Sequence, residues 1–169
     1  MAKPYSPTTV ASYDLQFNKA IAKLKGGMTD LLKKTAESCL MNIIQGPPLP
    51  YLTGSYMSSH RVGINAPDTS DTIIRKKGVR SLEQAQGRAL SEVKKLKDVK
   101  EGDSIYISNS VGYSTQYGYS WARNVEYAGW SSKEGGRTEP YLVYEKAIAK
   151  IPASIRKHVT EINMTLEIK

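Results

Sequence analysis

Apolar positions along this chain recur in two rhythms. Tyr13, Phe17, Ala20, Ile21 and Leu24 fall three and four apart, which lines one face of a helix opening at about Ser12. Gly26-Gly27 interrupts it as a break or a bend, each glycine costing about 1 kcal/mol in a helix interior. Thr29 can cap a second helical segment, in which Leu32, Ala36, Cys39 or Leu40, and Ile43 form another stripe. Gly46-Pro47-Pro48 ends the helix, because proline has no N–H with which to continue the ladder. From Tyr56 the rhythm changes. Tyr56, Ser58, His60, Val62 and Ile64 alternate with small or polar neighbours, as in a strand with one buried face.

Ser81-Leu82-Glu83-Gln84 has the spacing of a capping box and predicts a helix to about Leu96, striped by Leu82, Ala85, Ala89 and Val93. Gly102-Asp103 turns the chain into a strand over Ser104 to Asn109. Residues 110–120 read as a Tyr-, Ser- and Gly-rich loop, and Trp121 to Tyr127 as a short strand or extended segment. Pro140 opens a last helix, with Tyr144, Ile148, Ile151, Ile155 and Val159 as its stripe and Pro152 kinking or splitting it. Ile162, Met164, Leu166 and Ile168 then alternate strictly with polar residues, which predicts a terminal strand. The expected fold class is therefore α+β. A long N-terminal helix and further helices pack on a small, mainly antiparallel sheet. Residues 1–11 form a flexible arm, 12–160 a single domain, and 161–169 a strand available to this sheet or to that of a neighbouring subunit.

Composition narrows the function. The chain has 169 residues, which suits one domain with its own core. A single cysteine excludes an intramolecular disulfide framework, and Cys39 in its apolar stripe reads as a small buried hydrophobe. No apolar run reaches the length of a membrane span, and Met1 to Tyr5 does not resemble a signal peptide, so a cytoplasmic site of synthesis is expected. Eleven Tyr and two Trp stand against one Phe, and nine of those thirteen lie between Tyr106 and Tyr144. Rings with a polar tip suit surfaces that meet a partner.

Candidate chemistry is sparse. The two histidines, His60 beside Arg61 and His158 after Arg156-Lys157, suggest no metal site, and His158 reads as a cation near a helix C-terminus. Neither a nucleophile elbow nor a phosphate loop is present, so no enzymatic activity, cofactor, metal or small-molecule substrate is expected. The formal charge of +8 raises the alternative of a basic nucleic-acid-associated protein. Between Arg75 and Lys100 there are nine Lys or Arg against three acids. Lys94, Lys95 and Lys97 fit the solvated side of a helix. Arg75, Lys76, Lys77 and Arg80 are less ordinary and are the candidates for a DNA-facing loop.

Three phrases together resemble the tail-completion and head–tail joining (neck) proteins of long-tailed bacteriophages. They are Leu52-Thr53-Gly54-Ser55-Tyr56-Met57 after a proline-rich turn, Gly102-Asp103-Ser104-Ile105-Tyr106-Ile107-Ser108-Asn109, and Tyr119 to Ser131. The likeness runs from about Leu24 to Val159. Tyr51-Leu52 stands where the family usually shows an acid before Thr-Gly, residues 112–119 are longer and richer in Tyr, and the alternating tail lies outside the pattern. The resemblance implies a virion structural protein at the tail–head junction. Such a subunit is assembled in the host cytoplasm into a ring, often six-fold, that completes or terminates the tail. Its partners would be copies of itself, other neck and tail-tube proteins, and passing DNA near the Arg75 loop. A ring needs a head-to-tail interface that closes, and Trp121, Arg123, Glu126, Tyr127 and Trp130 are the interface candidates, with Glu126 and Arg123 as an exposed pair.

Overall fold

The computed structural model describes residues 7–46, 54–73, 80–112, 121–129 and 139–165. Helix α1 (Pro7–Gln45) runs unbroken through Gly26-Gly27, so the glycines are neither break nor separate start. It begins inside the stretch read as an arm. Pro7 is tolerated at a helix N-terminus, where its missing N–H would lack a partner anyway. A helical turn, α2 (Ser55–Ser58), leads into strand β1 (His60–Ile64). Helix α3 (Leu82–Leu90) passes directly into a 3₁₀ segment, Ser91–Asp98, and strand β2 (Ile105–Asn109) follows. Helices α4 (Trp121–Tyr127) and α5 (Val143–Thr165) complete the described chain.

The fold is α+β, with a long N-terminal helix and further helices packed against a small antiparallel sheet. Strands β1 and β2 pair from His60 opposite Asn109 to Ile64 opposite Ile105. Val62, Ile64, Ile105 and Ile107 share the core with Leu40, Ile43 and Ile44 of α1, Ala85 and Ala89 of α3, and Val143 and Ala147 of α5. Cys39 packs at the edge of that core and burial raises its thiol pKa, in keeping with its reading as a small hydrophobe. Gly63 points the other way. A Cβ there would collide with the Ala66 carbonyl oxygen, so only glycine lets the following loop fold back onto the strand. The turn is fixed by Asn65 at positive φ, whose amide bridges Asp103 and the Ser104 N–H.

The capping box is present, with Ser81 Oγ accepting from the Gln84 N–H and Gln84 Oε1 from the Ser81 N–H. Four other expectations are corrected. Tyr56 and Ser58 are helical, because Gly54 at φ 84° turns the chain into α2 and β1 starts only at His60. Trp121 to Tyr127 is a helix, and Ala122 and Val125, three apart, bury against Tyr56 and Val111. The last helix begins at Val143 rather than Pro140 and continues through Pro152 as one element. Residues 161–165 are its final turn, not a strand. Ile162 lies three residues after Val159, so the helical rhythm extends into the alternating tail and helix wins where the two patterns overlap. The rest of the predicted strand, residues 166–169, lies outside the described residues.

Candidate functional site

Polar side chains are buried in three places, and each joins segments far apart in sequence. The first cluster lies where α2, β1, β2, α4 and the start of α5 meet. The Tyr56 hydroxyl donates to Glu126 Oε1, and Glu126 Oε2 accepts the Tyr144 backbone N–H at 3.4 Å. Tyr144 Oη lies 3.0 Å from His60 Nδ1. Asn109 Nδ2 donates to the Tyr56 carbonyl at 2.8 Å and approaches His60 Nδ1 at 3.4 Å, while its Oδ1 accepts from the Val111 N–H. The Asn109 amide facing Nδ1 favours that nitrogen as the acceptor, and Nε2 is buried without a hydrogen-bond partner. The Tyr56 and His60 rings meet edge to face at 5.0 Å.

The electrostatics follow from burial. His60 is fully buried, and desolvation, then the charge of Arg61, lowers its pKa to about 3, so it is neutral. Burial, then the Glu126 charge, pushes both the Tyr56 and Tyr144 phenols well above their usual range. A fully buried neutral imidazole, a buried phenol and a half-buried one, both protonated, form a lock between five elements. Acid–base chemistry would need a group that substrate can reach.

The second cluster gathers around Arg61 and the edge of β1 not paired with β2. Buried Arg61 donates to the Ser58 and His60 carbonyls at 2.7 and 3.0 Å, and to Ser70 Oγ and Thr72 Oγ1 at 2.9 Å each. Buried Glu92 accepts from the Val62 N–H, from Arg88 at 2.8 Å and from Lys95 at 2.6 Å, and Lys95 also binds Asp68 at 2.9 Å. Burial opposes the Glu92 charge, yet these hydrogen bonds hold its pKa below the usual carboxylate range. Hydrogen bonds from Lys95 and Ser70 hold the Asp68 carboxyl lower still. Together these contacts bind the loop after β1 onto the sheet.

The third cluster joins α1 to α5. Ser38 Oγ lies 2.9 Å from His158 Nε2, and His158 Nδ1 lies 3.1 Å from Glu161 Oε2, which also binds Lys34. The order matches that of a nucleophile, base and orienting acid. Ser38 sits mid-helix, however, where the neighbouring backbone N–H groups are committed to the i→i−4 ladder and cannot form an oxyanion hole. The cluster therefore reads as an interhelix brace. It also changes the reading of His158, which is buried against α1 rather than a free helix-end cation.

Of the predicted interface residues, the side chains of Glu126 and Tyr127 are described. Glu126 is buried under α4 and bonded to Tyr56, so it is no exposed partner of Arg123. Tyr127, the next residue, is 57% exposed. The side chains of Trp121 and Arg123, and all of Trp130, lie outside the described residues, as do Arg75, Lys76 and Lys77. Arg80 is half-buried. Within the basic stretch, Arg88 and Lys95 are engaged with Glu92, whereas Lys94, Lys97 and Lys100 are exposed. Among the described residues no group of three or more His, Cys, Asp or Glu is placed to hold a metal ion, and no helix is long and apolar enough to cross a membrane. Sequence reading missed all three clusters because each needs at least one contact between distant segments, from 30 residues for Val62 and Glu92 to 120 for Ser38 and His158. Comparison of the chain with known protein families, with curated proteins and with solved structures finds no match.

Proposed function

We propose that this chain is a structural subunit of a bacteriophage neck, acting by assembly into a ring that completes or terminates the tail and joins it to the head connector. One observation carries the reading most. The three phrases that resemble neck proteins are separate in sequence, yet Tyr56 of the first bonds both Glu126 of the third and, through its carbonyl, Asn109 of the second. A resemblance scattered by chance along the chain has no reason to converge on one packed junction. The clusters also read as locks and braces, which suits a protein whose work is to hold a shape. The alternative, a basic nucleic-acid-associated protein without a ring, is weakened where Arg88 and Lys95 are engaged by buried or half-buried acids.

Light scattering of the purified protein, with and without duplex DNA over a salt series, separates the two. The neck reading expects a closed assembly of about six copies whose mass DNA does not change. A monomer whose DNA affinity falls steeply with salt supports the alternative instead.

A further inference from the structure

The domain leaves an apolar groove of about 540 Å³ between α1, the turn at residues 100–103, and α5. Met28, Leu31 and Leu32 of α1 and Ile155 of α5 form its walls. Met28 is 71% exposed, and Leu32, one turn later, is 37% exposed. Large apolar side chains exposed side by side mark a surface that is covered in use.

The chain carries an element suited to cover it. The core contributions of α1 come from Ala36, Leu40, Ile43 and Ile44, and Lys25 pairs with Glu101 at 2.9 Å at the groove's rim. Residues 7–24 lie beyond that pair and add about 27 Å of helix. Their sequence places Tyr13, Phe17, Ala20, Ile21 and Leu24 at helical spacing over about 17 Å, close to the length of α1 that borders the groove from Lys25 to Thr35. Charge also fits. Lys25 and Lys100 in the lining are balanced by Glu101 and Asp103, and residues 7–24 hold Asp14 against Lys19 and Lys23. In a chain of net charge +8, these are surfaces on which two copies can approach without strong repulsion. A balanced lining offers little to a phosphate backbone. The chain's own first half cannot fill its own groove, because α1 is continuous and the groove is lined by the same helix.

We propose that the groove receives residues 7–24 of α1 from a second copy, so that copies associate head to tail. This deepens the ring reading, which it needs only for closure. Two full-length variants test it: Phe17→Gln with Ile21→Gln in the donated segment, and Met28→Glu in the groove. Glutamine and glutamate are good helix formers, and unchanged circular dichroism verifies that α1 persists. By light scattering across a concentration series, the wild type is expected to exceed 18.7 kDa and each variant to remain at that mass. An equimolar mixture is expected to form a one-to-one pair, since one variant keeps an intact donor helix and the other an intact groove. A monomeric wild type, a variant that assembles like wild type, or a mixture that stays monomeric overturns the proposal. Closed rings that survive both substitutions overturn it while leaving the neck reading in place. Pairing in the mixture with an open-ended wild-type assembly supports it while removing the ring.

Discussion

Replacing Glu126 by alanine is expected to lower the unfolding free energy by about 3 kcal/mol, the range for stranding buried polar partners and opening a cavity. Glu126 is 5% exposed and accepts from the Tyr56 hydroxyl and the Tyr144 N–H. Without it, a phenol that is 8% exposed loses its acceptor in a place where little water can replace it. Glu126→Gln retains one carbonyl acceptor and the side-chain volume, and is expected to cost about 1 kcal/mol. Urea denaturation with an unchanged m-value measures both. A loss below about 0.5 kcal/mol for the alanine variant, the scale of an ordinary surface change, would mean that Glu126 is not the keystone of this junction.

Acid is expected to weaken the fold well before its carboxylates protonate. The His60 pKa is about 3 in the folded protein and about 6.5 in an unfolded chain. Between those values the unfolded chain binds a proton that the native protein excludes. Stability is therefore full above about pH 6.5 and declines as pH falls, by about 1 kcal/mol per pH unit, levelling near pH 3. Glu92 and Asp68 also have lowered pKa values, but their contribution is lost only in and below the carboxylate range. Urea midpoints from pH 6.5 down to about pH 5, the upper edge of that range, compared between wild type and His60→Gln, assign the slope to His60 rather than His158. His60→Gln is expected to start from lower stability and to flatten this slope. A wild-type stability that is level across the window would show that His60 is protonated inside the fold.

The parts of the fold legible in the sequence are those specified locally. Ser81 and Gln84 form their capping box within four residues, and Ile105 and Ile107 face the core by simple alternation. Three local patterns misled. Trp121 to Tyr127 carries an apolar pair at helical spacing, Ala122 and Val125, inside a segment rich in strand-favouring aromatics. The tail after Ile162 fits alternation as well as the continuing helix, and the helix continues to Thr165. Tyr56 fits the strand's alternation, but the left-handed Gly54 redirects the chain ahead of it. The candidate site was less legible. Glu126 reads as a surface acid until Tyr56, 70 residues away, is placed against it, and Ser38 finds His158 across 120 residues. The Gly63 close approach had a local sign, a glycine inside a strand pattern, and that signal could have located the folded-back loop.

The two buried clusters around β1 and the brace between α1 and α5 tie distant described segments together, which suits the proposed role of a subunit that holds its shape in a ring. Its place in a particle is the central claim. Phage particles purified from the source that encodes this chain, labelled with gold-conjugated antibody to the chain and imaged by electron microscopy, test it directly. Gold confined to the junction of head and tail is the result expected. Labelling of capsid faces or the distal tail, or intact particles that carry no copy of the chain, would contradict it.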